Sequence, residues 1–228
     1  SCQKGKGTHR ALNRFRKFID IVSENNTRTV WVLKCDIKKF FANIDQAILL
    51  EIMKKYIPDN DIVWLISIIV QSFHSGTLGV GLPLGNLTSQ LFVNIYMNEF
   101  DQFMKHKIKA KHYIRYSDDF VVLSHSRLYL ENILPDMRKF LEEKLKLTIH
   151  PNKISIQTVV SGVDFLGWVH FSDHRVLRTT TKKRMFKNIK IKGGKVETVQ
   201  SYLGLVSHGN GWKLQQQIQI KIPKTNTL

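Results

Sequence analysis

Residues 113–124 read YIRYSDDFVVLS. Strand-forming residues flank two adjacent carboxylates, with Tyr113, Ile114 and Tyr116 before them and Phe120 to Leu123 after. The stretch reads as a hairpin that carries Asp118 and Asp119 in its turn. Two anions in an apolar neighbourhood repel each other and resist desolvation. Either something positive compensates them or the turn is a solvated one. A third carboxylate bears on that choice. The run TVWVLKCDI, 29–37, is short, apolar and rich in β-branched residues, a buried strand that ends at Asp36. If that strand neighbours the hairpin, three carboxylates from distant parts of the chain converge at one sheet edge. Divalent metal is the usual way to hold such a cluster: Mg²⁺ takes one or two protein carboxylates and completes its octahedron with water and substrate phosphates. Two such ions about 3.5–4 Å apart stabilise the attacking and leaving oxygens of an in-line phosphoryl displacement.

Charge points to the same chemistry. Lys and Arg total 35 against 18 Asp and Glu, a net charge of +17 in 228 residues, which suits a polyanionic partner, nucleic acid or an anionic membrane surface. A chain of this length buries a sizeable core in one large domain or two small ones. Two cysteines, Cys2 and Cys35, form neither a disulfide framework nor a CxxC metal pair. Cys35 lies in the apolar strand and reads as core, and the expected compartment is a reducing cytoplasm. No apolar run of 18 residues occurs, which excludes a spanning helix, and the basic start SCQKGKGTHR lacks the apolar region of a secretory signal.

Around this centre the chain alternates helix and strand signals. Leu12, Phe15, Phe18, Ile19 and Val22 predict an amphipathic helix with a basic outer face, capped by Thr8. Ile48, Leu49, Ile52, Met53 and Tyr56 form one stripe of a second helix, with Asp45 as N-cap and Pro58 closing it. NDIVWLISIIVQSFH, 60–74, is apolar on most faces and reads as a buried helix. Gly76, Gly79, Gly81, Pro83 and Gly85 make a constrained loop feeding a helix with Phe92, Ile95, Tyr96, Glu99, Phe100 and Phe103 at helical spacing. Beyond the hairpin come a long helix over 128–147, in which Pro135 marks a kink or a late start, and strands in 148–157 and 162–171, with HRVLRTT as another. A boundary is expected near 175–181, after which TKKRMFKNIKIKGGK turns basic and a last helical stretch holds Tyr202, Leu203 and Val206. The seven basic residues of that segment suit either an RNA backbone or a solvated helix face.

Five segments in order carry a resemblance. YSDD in YIRYSDDFVVL resembles the Tyr-x-Asp-Asp signature of reverse transcriptases. KCDIKKFFANID resembles the first catalytic motif of that family, GLPLGNLTSQLFVNIYMNEFD its loop-to-helix motif under the incoming nucleotide, LTIHPNKISIQ the next motif, and VDFLGWVHF the primer-grip hairpin. The resemblance implies an α+β right-hand polymerase fold, an antiparallel palm sheet backed by helices, with partial fingers and a short thumb-like C-terminal segment. The division it implies is 1–30 fingers remnant, 31–50 palm, 51–88 fingers, 89–176 palm with the primer-grip hairpin, and 177–228 thumb-like.

It further implies RNA-directed DNA synthesis with two Mg²⁺ ions, Mn²⁺ as substitute, held by Asp36, Ile37, Asp118 and Asp119. Lys153 resembles the residue that protonates the leaving pyrophosphate; the alternative is a surface lysine. Ile37, Phe41, Leu84, Gly85 and Gln90 fall at nucleotide-binding positions, with Phe41 under the sugar, where its ring would exclude a 2′-hydroxyl. One of Phe40 and Phe41 is expected to be plain core. Arg115 either contacts phosphate or faces solvent. Partners implied are an RNA template, a DNA or RNA primer and dNTPs.

The loop departs from the usual pattern. Leu84 stands where most reverse transcriptases keep Gln, and Gln90 follows Ser89 in place of Pro. That combination resembles the enzymes of diversity-generating retroelements, error-prone at template adenines, and implies a bacterial or phage source and a basic accessory protein that forms a ring. A group II intron or retron-like antiphage enzyme shares the chemistry. A reading of another class is a non-catalytic RNA-binding protein on a ferredoxin-like palm, using exposed aromatics for stacking; three anions facing RNA phosphate argue against it. The family's first fingers motif is expected before KGKGTHRAL, and the end is short for a full thumb, so the chain reads as a fragment or a minimal enzyme.

Overall fold

The computed structural model describes residues 5–219, and Cys2 lies outside them. The chain forms two compact units, divided after Gln157. This division lies N-terminal of the change in composition near 175–181, and the strands after 158 pair among themselves rather than with the first sheet.

The first unit is built on a four-stranded sheet. Its elements are α1 (Thr8–Val22), β1 (Trp31–Asp36), α2 (Gln46–Tyr56), α3 (Asn60–Gln71), α4 (Leu87–His106), β2 (Tyr113–Tyr116), β3 (Asp119–Ser124), α5 (Arg127–Leu145) and β4 (Ser155–Thr158, reaching one residue past the unit boundary). The sheet order is β2-β3-β1-β4. Both β1 and β2 run antiparallel to β3, in the registers Asp36↔Asp119 and Tyr116↔Asp119.

Alternation along the strands sorts their residues onto two faces. Leu33, Cys35, Phe120 and Val122 enter the main core with Leu49, Tyr96, Phe100, Met137 and Leu141 from the helices. Phe100 is its aromatic centre, with ring centroids 5.2 Å from Phe120 and 6.0 Å from Phe140. Tyr96, wholly buried, donates its hydroxyl proton to Leu145 O at 2.7 Å. The opposite face carries Val32, Val121 and Leu123, all buried, and α1 packs against β2 and β3. The predicted stripe of α1, Leu12 to Val22, is the buried one.

Three local expectations are corrected. Thr8 is the first residue of α1 rather than its cap, since its hydroxyl donates to Tyr116 Oη at 3.0 Å instead of serving the helix end. Tyr56 leaves the α2 stripe for solvent, 63% exposed. α3 is not a buried helix: Val63 and Val70 are buried and Ile66 is partly covered, while Trp64 is 64% and Leu65 53% exposed. Asp45 caps α2 as expected, accepting from Ile48 N at 3.0 Å. Pro135 lies inside a continuous α5.

The second unit pairs β5 (Val163–Phe165), β6 (Trp168–His170) and β7 (Arg175–Leu177) with α6 (Thr179–Ile191), α7 (Val196–Val206) and α8 (Trp212–Gln219), the last of which no sequence signal predicted. Leu166 and Gly167 both take positive φ, 50° and 83°, as a two-residue hairpin turn requires. Val163, Phe165, Trp168, Met185, Ile189, Val199 and Val206 are buried.

Burial of this kind separates two aromatic substitutions. Phe100→Ala is expected to cost about 3–5 kcal/mol of unfolding free energy, whereas Trp64→Ala stays within about 0.5 kcal/mol of the parent. Urea unfolding followed by fluorescence and circular dichroism reads both.

Candidate active site

The β2–β3 hairpin turns through two residues, Ser117 and Asp118, between the paired Tyr116 and Asp119. Ser117 takes φ 59°, a left-handed conformation that costs a non-Gly residue free energy. Pairing of β1 with β3 continues one step past the strand end: Ile37 N–H donates to Asp118 O at 3.3 Å. Asp36 therefore stands opposite Asp119, and Asp118 opposite Ile37.

The segment before β4 supplies the positive charge. It docks along the end of β1, with Lys38 N donating to Thr148 O and His150 N to Asp36 O. A short 3-10 turn, Pro151–Lys153, then brings Lys153 Nζ to 2.9 Å from Asp36 Oδ1. Lys153 is half exposed, yet its ammonium is held protonated above the usual lysine range, first by that hydrogen bond and then by the charges of Asp36, Asp118 and Asp119. One lysine thus senses all three carboxylates. Lys34 adds a second cation, with Nζ 3.8 Å from Asp119 Oδ1.

Asp118 is the carboxylate most altered by its surroundings. Burial, the largest cause, and the charge of Asp36 push its acid above the ordinary range; a backbone hydrogen bond at Asp118, Lys153 and the Ser117 side chain pull it partly back. Burial likewise raises the Cys35 thiol to about 12, consistent with its expected place in the core.

The glycine loop is tied to the residues after β1. Gly81 N donates to Ile44 O, and Leu82 N to Phe41 O, both at 2.8 Å. Gln46, buried at the start of α2, donates through Nε2 to Phe73 O at 2.6 Å and Gly81 O at 2.9 Å. Phe40 is the core member of its pair and Phe41 is half-buried. Leu84 is 78% exposed, and Gly85 has φ +94° with open space where a Cβ would stand. Gln90 is half-buried in the first turn of α4.

The structure therefore gathers Asp36, Ile37, Asp118, Asp119 and Lys153 at one sheet end, and links Phe41 by its backbone to the loop of Leu84 and Gly85. Arg115 neither reaches for phosphate nor faces solvent: its side chain is 8% exposed and ion-paired to Asp101 at 2.7 Å. Lys34 was legible, because two residues before Asp36 on a strand means the same face. Gln46 and Asp101 gave no signal, since each finds its partners through the fold.

Among the described residues no set of three or more His, Cys, Asp or Glu side chains forms a ready metal cage. Mg²⁺ asks for less, one or two carboxylates beside water and substrate phosphate. The donor set here is all oxygen, and a cation, the Lys153 ammonium, already lies against it. The residues fit such an ion.

Residues 2–170 match the family described as reverse transcriptase (RNA-dependent DNA polymerase). The chain belongs to the reverse transcriptase family. Protein YkfC of Escherichia coli is 24% identical over 217 residues, covering 78% of this chain and 54% of YkfC. A COX1/OXI3 intron 2 protein of Saccharomyces cerevisiae is 23% identical, covering 77% of this chain and 27% of its own length. The chain thus spans about half or less of these relatives. Apo telomerase from Candida tropicalis superimposes with TM-score 0.62 at 12% identity, over 93% of this chain and 44% of the telomerase. Telomerase from Candida albicans, solved in complex with a fragment of telomeric RNA, gives 0.59 at 12%, over 96% and 44%. The fold is that of a reverse-transcriptase-like, right-hand polymerase, as the five motifs implied. No helix among the described residues is long and apolar enough to cross a membrane.

Asp118 offers a check on the site's electrostatics. Its acid is weaker in the folded than in the unfolded chain, so the folded state holds the proton more tightly. That contribution to stability is present below the unfolded titration and lost as pH rises through the folded one. Asp118→Asn is expected to raise the unfolding temperature near neutral pH without divalent ions, with the gain shrinking toward about pH 4. Calorimetry at both pH values measures it, and equal gains at both would contradict the assignment.

Proposed function

We propose that this chain carries out RNA-templated DNA synthesis, joining a dNTP to the 3′ end of a DNA or RNA primer. One observation carries the reading: Lys153 lies on Asp36 at 2.9 Å and within the field of Asp118 and Asp119, in a chain of the reverse transcriptase family. Asp36, Asp118 and Asp119 would hold Mg²⁺, or Mn²⁺ in its place, with Ile37 offering its backbone carbonyl, the only oxygen it has. When bound, such ions stabilise the charge that develops on phosphoryl oxygens in an in-line displacement.

The chain's own groups then divide the remaining work. Lys153, kept protonated beside Asp36, has a proton to give to the leaving pyrophosphate. Phe41 sits under the sugar, where its ring crowds a 2′-hydroxyl. Gly85 lets the backbone approach the nucleotide, and Leu84 and Gln90 border it. A groove of about 560 Å³ along α1, α4 and the edge of β2 supports a nucleic-acid partner. Lys6, Arg10, Arg14 and Lys105 line it, while its carboxylate, Asp101, is already paired to Arg115. In this reading 1–30 and 51–88 belong to fingers, 31–50 and 89–176 to palm, and 177–228 to a thumb-like segment, in a cytoplasmic enzyme.

The finer assignment is an error-prone enzyme of a diversity-generating retroelement, with an accessory ring protein as partner. What favours it is Leu84, exposed in the loop and unable to donate the hydrogen bond a Gln would give. The similarity to an intron protein favours a group II intron enzyme instead, and replication errors separate the two.

Primer extension on RNA with Mg²⁺ tests the chemistry. Asp36→Ala and Asp118→Ala are each expected to lower kcat by a factor on the order of 10²–10³; a folded Asp118→Ala variant that still extends primers like the parent would remove the site. Sequencing the products tests the finer reading. Restoring about 1.4 kcal/mol of discrimination with Leu84→Gln is expected to cut misinsertion opposite template adenine roughly tenfold, and unchanged errors would reject it.

A further inference from the structure

Asp118 is pinned on both sides of its own residue. The peptide after it is fixed from β1, where Ile37 N–H donates to Asp118 O at 3.3 Å. The peptide before it is fixed by a side chain, since Arg115 Nη1 donates to Ser117 O at 3.1 Å. Ser117 is the residue with φ 59°, so the carbonyl that Arg115 holds belongs to the residue of the turn in the left-handed region.

Arg115 is itself immobilised. Its Nε donates to Asp101 Oδ1 at 2.9 Å and its Nη2 to Asp101 Oδ2 at 2.7 Å, a bidentate pair on α4. Tyr113 Oη donates to the same Asp101 Oδ1 at 2.8 Å. The side chains of Arg115 and Asp101 are 8% and 20% exposed. A core ion pair needs only the two bonds to Asp101, whereas the third donor of this guanidinium is spent on the turn.

We propose that Arg115 is a positioning residue. Clamped to Asp101, it fixes the Ser117–Asp118 peptide and so aims the Asp118 carboxylate at the place where Asp36 and Lys153 meet. Lysine cannot replace it. An ammonium keeps the charge opposite Asp101 but lacks the planar fork that holds a carboxylate and a carbonyl in one fixed geometry.

The kinetic arm of the test rests on the polymerase reading; the ion-binding arm does not. Arg115→Lys is expected to fold, with dNTP KM within about threefold of the parent and kcat lowered roughly 10- to 100-fold by a misaimed carboxylate. Mn²⁺ titration followed by electron paramagnetic resonance is expected to show affinity weakened by threefold or more, on the order of 0.6 kcal/mol or more. Asp101→Leu combined with Arg115→Met removes the clamp without stranding a buried charge, and is expected to reproduce both losses. A folded variant of either kind that binds Mn²⁺ and turns over like the parent overturns the proposal. So does unfolding of both, which would assign the clamp to stability alone. Should the parent chain fail to extend primers at all, the polymerase reading fails, and the Mn²⁺ titration by itself decides the role of Arg115.

Discussion

Antiparallel pairing of β1 with β3 governs both the core and the proposed active site. Its register sets Asp36 against Asp119 at the same end where Cys35 meets Phe120 in the interior. Side chains alternate with a period of two, so a slip of one residue would drive carboxylates into the packing around Phe100 and expel Phe120 to the other face. The apolar residues thus enforce the register that gathers the anions. Nothing in the carboxylates favours their own meeting; burial of Leu33, Cys35, Phe120 and Val122 imposes it.

The cost of holding anions there shows in the acid of Asp118, raised first by burial and then by the charge of Asp36, and in the cations that lie against the cluster. Lys153 arrives through backbone pairing of 148–150 with 36–38, and Lys34 through its place on β1. A divalent ion would relieve the same repulsion more strongly, which gives the proposed chemistry a physical motive beyond family membership. The backbone bond from Leu82 to Phe41 couples the glycine loop to the same strand end, so the residues proposed to meet the nucleotide share one support.

Much of the fold was legible, and the reasons differ by element. The strand at 31–36, the hairpin at 113–124 and the stripe of α1 follow from local periodicity, which the tertiary structure had no cause to override. The exposure of α3 was not legible: an apolar helix signals burial only if something covers it, and composition cannot name what does. Tyr56 and Thr8 failed for a related reason, each finding solvent or a distant hydroxyl in place of a local partner. Arg115 had two readings from sequence, phosphate or solvent, and took neither because Asp101 waits on a helix that precedes it in the chain.

By itself the sequence determined which residue types were available and where the backbone turns: one aspartate at a strand end, two more at a hairpin turn, a lysine in a short turn, and glycines where the loop needs positive φ. Those depend on short-range sterics and periodicity, which neighbours in the chain decide. Only the tertiary structure decided that Lys153 rests on Asp36, that Arg115 holds the Ser117 carbonyl, and that Gln46 anchors the glycine loop. Each of these contacts joins groups set in register by strand pairing and helix packing, and the energy that fixes them is burial summed over the whole first unit.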